Sequence, residues 1–156
     1  MNKPTIKNIK PSIEFEKFYF KSSGLRIVPT IYNRESEEVF LYKESGTFAK
    51  WIKKNYPKIS IDYNSNVKKI SLNNNEFWLP LVYLSSDTSI QIYLGLVINF
   101  LYDKLKGALS GEKEKAKVNL NIEYKEGDKY KRFEYSGNIE GLEKFTKFNT
   151  NNFFEN

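Results

Sequence analysis

The stretch Ser86–Leu109, SDTSIQIYLGLVINFLYDKLKGAL, is the longest part of the chain whose apolar residues keep a helical spacing. Ile90, Leu94, Val97, Leu101 and Leu105 recur at steps of three and four, Tyr93, Leu96 and Phe100 widen the stripe on one flank, and Ile92 and Ile98 widen it on the other. So wide a stripe predicts a largely buried central helix around which the chain is arranged. Ser86 or Asp87 can cap its first turn, Gly107 or Gly111 can close its last, and Lys104 and Lys106 suit the negative end of the helix dipole. Its one polar line is Gln91, Gly95, Asn99 and Asp103, at four-residue steps. That line is either the strip that meets water or a contact seam, in which Gly95 admits a close backbone while Gln91 and Asn99 hydrogen-bond across it. The apolar core from Ile90 to Leu101 is interrupted by Gln91 and Asn99 and is shorter than the roughly 20 residues of a bilayer span.

Upstream, Phe77–Leu84 is a continuous apolar run broken by Pro80, which predicts a buried connector or a lip of exposed aromatics headed by Phe77 and Trp78 rather than an interior strand. Before it, Ile59, Ile61 and Tyr63 alternate with polar residues as a half-buried strand, with 67–72 as its candidate partner. Phe48, Trp51, Ile52 and Tyr56 form one face of a helix that Pro57 ends, and Val39–Tyr42 is a short apolar run leading into it. Nearer the N-terminus, Ile13–Phe20 reads as a strand with Phe15 and Tyr19 on one side and Phe18 and Phe20 on the other. It turns through Ser22, Ser23 and Gly24 into Leu25–Tyr32, which Pro29 assigns to an edge. Downstream of the long helix, Val118, Leu120, Ile122 and Tyr124 alternate strictly with Asn119, Asn121 and Glu123. The turn Glu126, Gly127, Asp128 returns the chain through Phe133 and Tyr135 as a hairpin with one wet face, and Asn138 caps a last helix with Ile139, Leu142 and Phe145 inward.

The expected fold is therefore α+β, a mostly antiparallel sheet packed on the long central helix with two shorter helices. Residues 1–12, with Lys3, Lys7, Lys10, Pro4 and Pro11, read as a flexible arm, 13–148 as a single domain and 149–156 as a loose tail.

The chain of 156 residues has neither Cys nor His, so thiolate nucleophiles, disulfides, zinc-sulfur sites and imidazole catalysis or ligation are excluded. No Gly-rich phosphate loop, nucleophile elbow or paired-histidine helix occurs, and no cofactor is expected. Without an apolar leader or a spanning segment, a cytoplasmic protein with no membrane partner is expected. The net charge is +6, yet only Arg26, Arg34 and Arg132 of the 25 basic residues are arginines, and heavy Lys, Asn and Ile usage fits compositional drift as well as nucleic-acid binding.

Three surfaces remain as candidates. One is a partner-binding surface of Gln91, Gly95, Asn99 and Asp103 with Phe77 and Trp78. The second is the basic patch of Lys50, Lys53, Lys54 and Lys58 beside Trp51 and Tyr56, suited to an acidic partner or a nucleic-acid backbone. The third is Glu123 with Lys125 on the clear strand, the Glu-x-Lys spacing of metal-dependent nucleases, for which Asp103 is the upstream acid. The acidic group Glu35, Glu37 and Glu38 has no cation-loop pattern and reads as a solvated loop.

From Val39 to about Phe148 the order strand, Trp51-containing helix, strand, connector, long helix, strand, strand, short helix resembles the effector-associated constant component family of bacterial conflict systems. The resemblance implies a small non-enzymatic adaptor beside an effector in antiviral defence, and it supplies no catalytic residues. The expected role is thus protein interaction or self-association, as an accessory or adaptor subunit. The alternatives are a nucleic-acid-binding accessory protein and a metal-dependent nuclease.

Overall fold

The computed structural model describes residues 3–33, 38–42, 44–64, 68–70, 76–106 and 116–154. In chain order these form β1 (Thr5–Asn8), α1 (Ile13–Lys21), β2 (Leu25–Val28), β3 (Thr30–Asn33), β4 (Glu38–Tyr42), α2 (Glu44–Asn55), β5 (Ile61–Asp62), β6 (Lys68–Ile70), β7 (Glu76–Leu84), α3 (Ile90–Lys104), β8 (Lys117–Glu126), β9 (Lys129–Asn138) and α4 (Ile139–Phe154). The class is α+β. A six-stranded sheet runs β1-β9-β8-β7-β2-β5, and β3, β4 and β6 form a second sheet of three strands.

The large sheet is mixed, which corrects the expectation of a mostly antiparallel one. β1/β9, β9/β8 and β7/β2 are antiparallel, while β7/β8 and β2/β5 are parallel. The cause lies in 76–84, expected to be a connector. Pro80 does not prevent a strand because it falls inside a register irregularity between Trp78 and Leu81, where the ladder to β8 does not require its missing N–H. Once β7 is a strand, α3 becomes the crossover between neighbouring strands, and a crossover of this length returns the chain parallel.

β7 carries apolar side chains on both faces. Leu79, Val82 and Leu84 join the main core with α2, α3 and α4, while Leu81 and Tyr83 meet Phe15 and Phe18 of α1. The sheet is thus covered by three helices on one side and by α1 on the other. α3 buries Tyr93, Leu94, Leu96, Val97, Ile98, Phe100 and Leu101 against the sheet, and exposes Ile92 and Tyr102. It spans 15 residues and α4 spans 16, so α3 does not dominate by length. The Tyr102 hydroxyl donates to Glu143 and ties α3 to α4; that carboxylate pushes the phenol up to about 12.

Further expectations are corrected, beginning at the N-terminal end. Residues 13–20 are helix, not strand: Ser12 accepts from the Phe15 amide (3.1 Å), and Phe15 and Phe18, three apart, share the buried face. Leu25–Tyr32 is not one edge strand, because the chain divides at Pro29 into β2, which is interior between β7 and β5, and β3 in the small sheet. Residues 5–8, read as part of an arm, pair with β9, and the last helix continues through 149–154. β6 pairs with β4 rather than with β5. Glu35 and Glu37, and Gly107 and Gly111 at the expected end of the long helix, lie outside the described residues.

The entry to α3 is held by Asp87. Its carboxylate accepts from the Ser23 hydroxyl, from the Gly24 amide (2.8 Å), from Ser85 Oγ (2.5 Å) and from Thr88 Oγ1 (3.0 Å), while Ser89 is the cap itself, accepting from the Ile92 amide (3.2 Å). These bonds fasten the β7–α3 turn to the α1–β2 turn. Gly24 is required at that junction, with φ of 77° and the Ser60 carbonyl oxygen 1.8 Å from where a Cβ would stand.

Hydroxyl and amide donors hold the Asp87 carboxyl far below its ordinary value of 3.8. A depressed folded pKa gives stability that is complete above the unfolded value and is lost as pH falls through the folded one. Asp87→Ala is expected to cost about 1–2 kcal/mol at pH 7, the low end for hydrogen bonds to an exposed charge. Urea unfolding at pH 7 and at pH 3 checks this: the deficit shrinks at the lower pH.

Candidate interaction surface

Strict alternation in β8 and β9 sorts their side chains between two faces. Val118, Leu120, Ile122, Phe133 and Tyr135 enter the main core, and Asn119, Asn121, Glu123, Arg132, Glu134 and Ser136 stand on the face that carries α1. α1 covers only part of that face. Beyond it lies an open groove of about 420 Å³ lined by Lys3, Thr5, Trp78, Asn119, Asn121, Glu134 and Ser136, among others.

The floor of the groove is organised by its own contacts. Ser136 Oγ donates to Asn119 Oδ1 (2.9 Å), and Asn119 Nδ2 donates to Glu76 Oε2 (3.2 Å). Charges alternate across three strands: Arg132 Nη1 lies 3.2 Å from Glu123 Oε2, Arg132 Nε 3.0 Å from Glu134 Oε1, and Lys7 Nζ 3.0 Å from the same Glu134 oxygen. The hydrogen bond from Lys7 is the main cause that lowers the Glu134 carboxyl. Glu123 is only 9% exposed, and burial raises its carboxyl against the opposing pull of Arg132.

At the rim of the groove β1 is an edge strand, paired with β9 alone among the described residues. The register Thr5↔Glu134 to Asn8↔Lys131 continues into a bond from the Ile9 amide to the Tyr130 carbonyl (2.9 Å). Antiparallel pairs alternate, so Thr5, Lys7 and Ile9 direct their backbone groups to β9, and Ile6 and Asn8 direct theirs outward. The Ile6 side chain, 45% exposed, points to the helix-covered side. There it lines a small cavity of about 50 Å³ with Ile90, Gln91, Leu94, Phe133 and Phe145.

The residues singled out from the sequence are distributed differently from the expected seam. Asn99 Nδ2 donates to the Tyr56 hydroxyl (2.7 Å), and Trp51 Nε1 donates to Asp103 Oδ2 (2.9 Å), so half of the polar line joins α3 to α2 and its neighbouring turn. A Cβ on Gly95 would meet nothing within 4 Å, so no backbone of the described residues approaches it, and Gln91 belongs instead to the cavity beside Ile6. Phe77 packs against the main core, while Trp78 lines the groove. Lys50, Lys53, Lys54 and Lys58 are exposed, but the neighbouring Trp51 and Tyr56 rings pack on the core, so lysines and aromatics do not form one stacking surface.

The Glu-x-Lys pair is also placed by packing. Glu123 is ion-paired with Arg132, and Lys125 Nζ lies 4.7 to 5.3 Å from the ring centres of Tyr19, Phe20 and Tyr130, a cation held on aromatic faces. Asp103 stands with α3 on the other side of the sheet, so the three residues do not come together. Among the described residues no group of three acidic side chains is arranged to hold a metal ion.

Sequence reasoning missed the β1 edge and the groove. Their local signal is slight, a single Ile6 between Thr5 and Lys7; the pairing that defines them joins residues 5–8 to 131–134, at the far end of the chain.

Removing Arg132 leaves a carboxylate in a site that already disfavours its charge. Arg132→Met is expected to destabilise the fold by about 2–3 kcal/mol at pH 8, somewhat under a fully buried pair. A raised folded pKa costs stability as pH rises past the unfolded value, so the loss diminishes at pH 5, and Glu123→Gln in the same chain recovers most of it. Denaturant unfolding of the three proteins at both pH values measures this. No protein-family model, no curated protein and no solved structure matches the chain.

Proposed function

We propose that the protein is a non-enzymatic protein-interaction module, an accessory or adaptor subunit of a multi-component system. The observation that carries the reading is the β1 edge, unpaired on its outer side among the described residues and bordering an open, polar sheet face, a combination that offers backbone hydrogen bonds and side-chain contacts to another chain. The groups with the greatest catalytic potential support it from the other side. Glu123, Lys125 and Asp103 are each engaged within the fold, by Arg132, by three aromatic rings and by Trp51. The adaptor role implied by the resemblance of the element order belongs to the same class.

Nucleic-acid binding through Lys50, Lys53, Lys54 and Lys58 is the rival, and the packing of the Trp51 and Tyr56 rings against the core, which limits the face they offer to bases, weighs against it. Among the described residues no helix is long and apolar enough to cross a membrane.

Affinity capture of the tagged protein from the cells that produce it, at moderate salt with and without nuclease, is expected to return one stoichiometric protein that survives nuclease. The same partner is expected with Lys50, Lys53 and Lys54 all changed to Glu. Recovery only of material that nuclease removes, or loss of all material in the lysine variant, overturns the reading in favour of nucleic acid.

A further inference from the structure

We infer that an acidic, extended segment of a partner protein adds to the free edge of β1 and lengthens the six-stranded sheet by one strand. The inference rests on the protein-interaction reading and names the partner chemistry and the place.

Three features converge on β1. The first is its backbone: Ile6 and Asn8 direct N–H and C=O groups away from β9, a template two residues apart for antiparallel or parallel addition. Pro4 shares their outward parity but has no N–H, so the template begins at Ile6. The second is apolar. An added strand on this edge places alternate side chains over the helix-covered side, beside the exposed Ile6 and the cavity it shares with Leu94 and Phe145. The third is charge: residues 3–12 carry Lys3, Lys7 and Lys10 and no acidic residue. Lys3 and Lys7 stand on the groove side, where the remaining side chains of an added strand point. The complementary segment therefore alternates acidic residues toward the groove with apolar residues toward Ile6.

The same lysines decide against a second copy of this chain as the occupant. In the register that uses both outward residues, Ile6 opposite Asn8, two β1 edges place Lys7 opposite Lys7, which costs free energy in a cross-strand pair. An acidic segment gains at Lys3, and at Lys7 it shares the ammonium with Glu134.

A display library of random octapeptides selected on the intact protein tests this. Enrichment of peptides with Asp or Glu at alternate positions and apolar residues between them is expected. In hydrogen exchange, a synthetic peptide of the selected sequence is expected to protect the amides of Ile6 and Asn8, which face outward, and to leave that of Lys7, already in the ladder, unchanged. Asn8→Pro deletes an outward N–H while sparing the β9 ladder, and it is expected to weaken the peptide about tenfold or more; Ile6→Pro serves if that variant does not fold. Lys3→Glu weakens it also, and raised salt reduces the affinity.

Selection without acidic enrichment overturns the inference, as does a bound peptide that leaves the Ile6 and Asn8 amides unprotected. If cell capture nevertheless returns a nuclease-resistant partner, the docking site alone falls and the interaction reading stands. If that capture also fails, both fall.

Discussion

Strand β7 has to be satisfied in four directions at once. β8 and β2 take its two edges, the main core takes Leu79, Val82 and Leu84, and α1 takes Leu81 and Tyr83. An antiparallel sheet with one wet face cannot meet that requirement, since half of the apolar run would face water. The layers follow from it. α3 has to cross over one face to return as the parallel neighbour β8, and α1 has to close the other, with Phe15 and Phe18 as its contribution. Asp87 locks the arrangement by joining the turn after β7 to the turn after α1, so the two sides of the strand are secured at one point.

The parts of this fold that the sequence displays are those whose pattern is local and one-sided. Val118 to Tyr124 alternates because one face of β8 enters the core and the other is polar and only partly covered, and Ile90 to Leu105 repeats at helical steps because one face of α3 lies on the sheet. β7 shows neither period, since both of its faces are buried, and its proline argues for a break that the register irregularity absorbs. α1 is the instructive error. Phe15, Phe18, Tyr19 and Phe20 satisfy a two-residue reading nearly as well as a helical one, and the deciding signal is the cap, Ser12 after Pro11, with Glu14 and Glu16 in the first turn. The open face was half legible, through Asn119, Asn121 and Glu123, but its closing strand β1 depends on a pairing across the length of the chain that no local pattern encodes.

The polar residues that attract attention in the sequence have largely been taken up by packing. Trp51 and Asp103, Tyr56 and Asn99, Glu123 and Arg132, and Lys125 with its three rings are pairs or clusters from different elements. Only Glu123 among them is a buried charge, which would be costly without Arg132; the two hydrogen-bonded pairs lie at the surface. Tyr and Trp bring a polar atom with every large apolar surface; Trp51 Nε1 and the Tyr56 hydroxyl are met in this way, while the buried Tyr93 hydroxyl has no hydrogen-bond partner among the described residues. Residue types and spacing therefore overstate the chemistry available here, and the surface left over is the one with ordinary residues on an edge.

Lysines on an edge strand are a common protection against aggregation, and that role does not compete with docking. Protection works by making self-pairing unfavourable; in the docking proposed above, the same charges would favour an acidic strand. What separates mere protection from a docking edge is whether anything on the strand is left unfavourably exposed. On β1 that residue is Ile6, 45% exposed beside a small cavity lined by Leu94, Phe133 and Phe145 together with Gln91 and Glu126. In the docking proposed above, Ile6 is the residue against which a partner's apolar side chain would rest.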